Sequence, residues 1–177
     1  DRAVGDWARF WAEHARSKGI APEKLGVLLV DEPREPAMDA IIIAWARALH
    51  AAETGIRVWE DPIYADMDKA DPGLLPSSDV LCPNRCIFLA AKQAYRDAYL
   101  ERQAEGATLD LYACIGPVRT FDPYRYYLLQ AWQCWRFGST STFFWAMADN
   151  AGVSSWNEYP LAGPAYAARV IDEKTAV

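Results

Sequence analysis

The stretch LGVLLVDEPREP, residues 25–36, places two adjacent acids, Asp31 and Glu32, at the end of an apolar run and directly before Pro33. Carboxylates are costly to hold at the end of a strand that is otherwise buried. Helix capping is the simplest account, because acids are favoured near helix N-termini. Capping explains one acid, but Arg34, Glu35 and Pro36 still separate the pair from the helix that follows. The chemistry that most needs two carboxyl groups in one place is glycosidic bond cleavage. One acid, its pKa raised by burial or by its neighbour's charge, protonates the leaving oxygen, and the other acts across an oxocarbenium-like ring. Adjacent residues do not easily straddle a sugar. They suit hydrolysis in which the substrate's own 2-acetamido oxygen attacks the anomeric carbon, one acid orienting the acetamide while its neighbour protonates the leaving group.

Other side chains near predicted strand ends fit such a site. Trp59, Tyr112, Trp145 and Trp156 could stack on sugar faces, with core packing as the alternative for each. Tyr112 lies mid-strand in LYAC, where it reads equally as an acetamide partner or as a buried residue. Trp132 and Trp135 read as core packing of a late helix. Asp61, Asn84, Asp149 and Asn150 follow strands and suit hydroxyl recognition, although Asn and Asp also favour turns. His14 and His50 both fall in helices away from those ends, leaving a Ser-His-Asp or Cys-His catalyst without a base. Cys82 and Cys86 have the wrong spacing for a zinc knuckle, and with Cys114 and Cys134 they read as buried free thiols, with a disulfide as the alternative. No metal and no cofactor are expected.

The elements that must position these residues alternate. Helices are expected over Arg2–Lys18, where Val4, Trp7, Phe10 and Trp11 recur at helical spacing as an apolar face, over Ala37–Glu53 and Ile87–Ala104, and from Pro123 to Gly138, with Asp122 as N-cap of the last. Strands are expected at Leu25–Val30, Ile56–Trp59, Asp79–Cys82, Thr108–Ile115 and Thr140–Met147, with loop beyond. Such an order means an α/β fold of parallel strands joined by right-handed crossovers. Polar residues gather after the strands (Asp31 and Glu32, Glu60 and Asp61, Asn84, Arg119, Asp149 and Asn150), the edge at which parallel α/β folds bind ligands. No GxGxxG or GxxxxGK phosphate loop is present, which favours a barrel over an open doubly wound sheet. A complete (β/α)8 barrel needs roughly 250 residues. The 177 residues are therefore read as one domain, a partial barrel comprising strands four to eight and incomplete at both ends. Its outer strands would expose unpaired edges, so self-association or a missing N-terminal barrel segment is expected.

Bulk composition is consistent with this. A net charge of −6 without a basic stripe argues against a nucleic-acid surface. No apolar run approaches a membrane-spanning length, so no membrane partner is expected.

VLLVDEP, LYACIGP, DPYRYYLLQAWQCWRFGSTSTFFWAMAD and YAARVIDEKTAV resemble, in that order, the C-terminal half of glycoside hydrolase family 123. They also resemble related uncharacterised bacterial proteins sharing its catalytic region. The resemblance runs from about residue 25 to the end. It implies a (β/α)8 barrel and retaining, acetamide-assisted hydrolysis of β-linked N-acetylgalactosaminides, with a carbohydrate as the partner. Asp31 would then orient and stabilise the acetamido group, and Glu32 would be the general acid/base. The resemblance also implies that a half barrel holds only half a sugar pocket. Two other readings stand beside it. One is a non-catalytic carbohydrate-binding or structural barrel domain. The other is a barrel hydrolase whose second carboxylate, Asp61 or Asp149, lies across the pocket.

Overall fold

In the computed structural model, residues 2–114, 124–145, 149–150 and 153–154 are described. Helix α1 (Arg2–Ser17) leads into strand β1 (Gly26–Leu28) and helix α2 (Pro36–His50). Strand β2 (Arg57–Glu60), a loop with short 3-10 turns and strand β3 (Val80–Leu81) follow. Helices α3 (Arg85–Ala90) and α4 (Gln93–Ala104) precede β4 (Thr108–Leu109) and β5 (Leu111–Ala113). A π-helical turn at Tyr124–Leu128 runs into α5 (Leu129–Arg136), then β6 (Thr142–Phe144). Strands β7 (Asp149–Asn150) and β8 (Val153–Ser154) form an antiparallel pair where loop was expected.

The fold is mixed α/β with parallel strands. Strands β1 to β4 pair in sequence order, with Leu28 beside Trp59, Trp59 beside Val80 and Val80 beside Thr108. Strand β5 pairs in parallel with β6, and a bridge between Asn84 and Tyr112 continues the β3 line onto β5. Between β4 and β5 the buried Asp110 accepts hydrogen bonds from Thr140 Oγ1 (3.0 Å) and Ser141 N (2.9 Å), which anchors the entry to β6.

Alternation along the strands separates two faces. Val27, Leu29, Ile56 and Val58 pack with Ala46 and Leu49 of α2 and with Ala8 and Ala12 of α1. Leu81, Leu109 and Leu111 pack with Phe88, Tyr95 and Tyr99 of α3 and α4. Trp59, Tyr112 and Phe143 belong to the opposite face, where a cavity lies.

Helix α1 has the expected extent but buries a different face. Its Gly5, Ala8, Ala12 and Ala15 are buried, while Trp7, Phe10 and Trp11 remain exposed. The small residues allow close approach to α2, which large rings would prevent. Trp132 and Trp135 of α5 are likewise exposed, Trp135 at 77%, and do not pack in the core as the sequence suggested. The single helix expected over Ile87–Ala104 is interrupted at Ala91 and Lys92, whose backbones are extended. No Gly or Pro marks this break. The Arg96 guanidinium stabilises it, donating to the carbonyls of Leu89 (3.1 Å) and Ala91 (2.7 Å) that a continuous helix would have paired internally.

Candidate functional site

Strand β1 is shorter than the apolar run that contains it, because its ladder is replaced at the end by a side chain. Glu60, the last residue of β2, accepts a hydrogen bond from Leu29 N at 3.0 Å through Oε1. Beyond this point the chain turns, and Glu32 adopts a left-handed backbone with φ 48°. Glu32 N donates to Asp61 Oδ1 at 2.8 Å, and Ile63 N donates to the Pro33 carbonyl at 3.1 Å. The exits of β1 and β2 are thus joined by a carboxylate and by main chain. From β5, the Tyr112 hydroxyl donates to Glu32 Oε1 at 2.5 Å.

These groups open on a cavity of about 730 Å³ lined by Gly26, Leu28, Asp31, Glu32, Trp59, Asp61, Tyr112 and Cys114, and by Phe143, Phe144 and Trp145. One side is acidic, and the other is an aromatic wall in which Trp59 meets Phe143 edge-on at 6.0 Å between ring centroids. Asp31 is exposed at the mouth, Glu32 is half-buried, and Asp61 is 4% exposed.

Asp31, Glu32, Glu60 and Asp61 form none of the ion pairs found among the described residues. Burial, reinforced by the charges of Asp31 and Glu32, pushes the Asp61 carboxyl up to about 7, with the Glu32 N–H pulling the other way. Glu60 is completely buried, and burial, aided by Asp61 and then Asp31, lifts it to about 8 against the Leu29 N–H. Its Oε2 has no hydrogen-bond partner among the described residues. Glu60 and Asp61 therefore hold protons near neutral pH that ordinary carboxyl groups would have released. Burial and the bond to Glu32 drive the Tyr112 phenol far above its ordinary range, so it remains a donor at any working pH.

The structure brings Asp31, Glu32, Trp59, Asp61, Tyr112 and Trp145 to one cavity. Asn84 serves as N-cap of α3: its Oδ1 accepts from Cys86 N (3.0 Å) and Ile87 N (3.4 Å), and its amide donates to Cys114 Sγ (3.3 Å). It does not line the cavity. Trp156 and the side chain of Asp149 lie outside the described residues. All four cysteines are free, and Cys114, expected to be buried, is exposed in the cavity. Among the described residues no cluster of His, Cys, Asp and Glu is arranged to hold a metal, and no helix is long and apolar enough to cross a membrane.

Leu28, Cys114, Phe143 and Phe144 line the cavity and were missed by sequence reasoning. Two of them carry a readable signal, since Cys114 stands two residues after Tyr112 and Phe143 two before Trp145, the spacing that keeps side chains on one face of a strand. Glu60 was noted only as a polar residue after a strand. Its isolation from cations appears only once the strands are paired.

Fold and site together define a mixed α/β protein with an acidic, aromatic-walled cavity at the carboxyl edge of parallel strands. No protein-family model matches the chain, and no curated protein matches it.

Proposed function

We propose that this chain carries the acidic half of a glycoside hydrolase centre that cleaves β-linked N-acetylhexosaminides, galactosamine type by resemblance, with retention of configuration. The observation that carries the reading is Glu32 facing an aromatic-walled cavity beside Asp31, with its carboxyl held by Tyr112. The 2-acetamido oxygen attacks the anomeric carbon while the Glu32 carboxyl gives its proton to the departing oxygen. Asp31 accepts the acetamide N–H and offsets the positive charge of the ring intermediate. Glu32 then takes a proton from the incoming water, whose oxygen bonds to the anomeric carbon and restores the acetamide. Trp59 and Trp145 offer ring faces to the sugar.

The sheet is part of a (β/α)8-type barrel under this proposal. Parallel strands paired in sequence order, with a cavity on one face and helices on the other, support that architecture. The reading with Asp61 as a second carboxylate across the pocket is less well supported, because Asp61 accepts the Glu32 amide N–H and so adjoins Glu32.

The test is turnover of a chromogenic N-acetyl-β-galactosaminide by the full-length protein. Glu32→Gln is expected to abolish nearly all of it, and an unchanged rate removes Glu32 from the mechanism. Asp31→Asn is expected to slow acetamido substrates, and indifference there excludes acetamide assistance. Binding of N-acetylgalactosamine without hydrolysis would instead identify a carbohydrate-binding domain.

A further inference from the structure

Among the described residues, Glu32 and Glu53 are the non-glycine residues with a left-handed backbone, at φ 48° and 50°. Glu53 lies just past the end of α2, where such a conformation is an ordinary way to stop a helix. Glu32 has no helix to terminate. It lies between a strand exit and Pro33, and a following proline further restricts its backbone. A residue with a Cβ stays in this region only when its surroundings hold it there, and such outliers cluster at functional sites.

Asp61 is the contact that holds it. We infer that Asp61 is a positioning residue, its carboxyl fixing the Glu32 main chain in the left-handed turn so that the Glu32 carboxyl meets Tyr112 and faces the cavity. The inference rests on the reading of Glu32 as the acid/base group. Asp61 reaches the Glu32 N–H from the end of the neighbouring strand at 2.8 Å, and Tyr112 holds the other end of the same residue at 2.5 Å. Asp61 has little surface left for a ligand, being 4% exposed with one oxygen already committed. Burial among other acids is unfavourable to its charge, and the Glu32 N–H is the main contact that offsets it.

The test compares Asp61→Asn, which keeps an accepting oxygen, with Asp61→Ala, which does not. Both are made in the full-length protein, with amide hydrogen exchange at Glu32 and kcat and KM on the chromogenic N-acetyl-β-galactosaminide as readouts. Asp61→Ala is expected to speed exchange at Glu32 and to lower kcat about a hundredfold, since a misplacement near 1 Å has that effect, with KM moving less than about threefold. Asp61→Asn is expected to restore most of the protection and most of kcat. Unchanged exchange in Asp61→Ala overturns the inference, as does an Asn variant no better than Ala. Should Asp61→Ala not fold, adding Glu32→Gly, which tolerates positive φ, is expected to rescue it, and failure to do so also overturns the inference. If the wild-type protein turns over no N-acetylhexosaminide, the proposed reaction falls, while the exchange comparison still decides the positioning role.

Discussion

Glu60→Gln offers a direct check on the electrostatics of the carboxyl cluster. Glu60 is completely buried, one oxygen receives the Leu29 N–H, and no cation balances it among the described residues. Its carboxyl is lifted to about 8, whereas an unfolded Glu ionises in its ordinary range. Between those limits the native state holds a proton that the unfolded chain has released. Stability therefore falls as pH rises through this window and levels off above it. One such proton is worth about 1.4 kcal/mol per pH unit, so moving from pH 5.5 to 7.5 costs roughly 2–3 kcal/mol. That is a large share of the roughly 5–15 kcal/mol by which a domain is folded. Gln keeps the acceptor for Leu29 and cannot ionise. Urea unfolding followed by circular dichroism at the two pH values is expected to show a smaller loss for Glu60→Gln and a more stable variant at pH 7.5. Asp61, lifted to about 7, adds a slope of the same sign, and Glu60→Gln with Asp61→Asn is expected to flatten the profile further. Wild-type stability that rises between pH 5.5 and 7.5, or a Gln variant with an unaltered slope, refutes the reasoning.

Three further outcomes are expected. Under the proposed reaction, Tyr112→Phe removes the donor to Glu32 Oε1 and should lower kcat on the chromogenic substrate about 10- to 100-fold, because an acid/base group contributes only when positioned; steady-state kinetics checks this. Asn84→Ala removes the cap of α3 and should cost about 1 kcal/mol in urea unfolding. Asp39→Ala should cost roughly 3 kcal/mol by the same assay, because the buried Asp39 Oδ2 accepts from Tyr64 Oη (2.7 Å) and Asp71 N (2.8 Å), and both donors would lose their partner.

Much of the architecture was legible because it rests on local pattern. Apolar runs bounded by turn residues located the parallel strands to within a few residues, and their alternation with helices implied the parallel sheet. The acidic pair at Asp31 and Glu32 was conspicuous because two charges directly after an apolar strand are hard to explain locally. Which helix face turns inward was less legible. On α1 the aromatic stripe suggested a buried face, yet alanines make the close contact with α2. Hydrophobicity ranks side chains one at a time, whereas helix packing depends on how closely two backbones can approach.

From sequence alone follow the strand–helix order, the carboxylate pair at the end of β1 and the placement of both histidines in helices, since residue type and spacing carry that information. Tertiary structure decided how the site is wired. Parallel pairing of β1 with β2 brings Asp61 under Glu32, and β5 carries Tyr112 to its carboxyl from eighty residues away. Packing around Glu60 removes water from an acid that no cation neutralises among the described residues, which raises its proton affinity. Hydrogen bonding and desolvation depend on neighbours in space, and chain order does not specify those until the strands are in register.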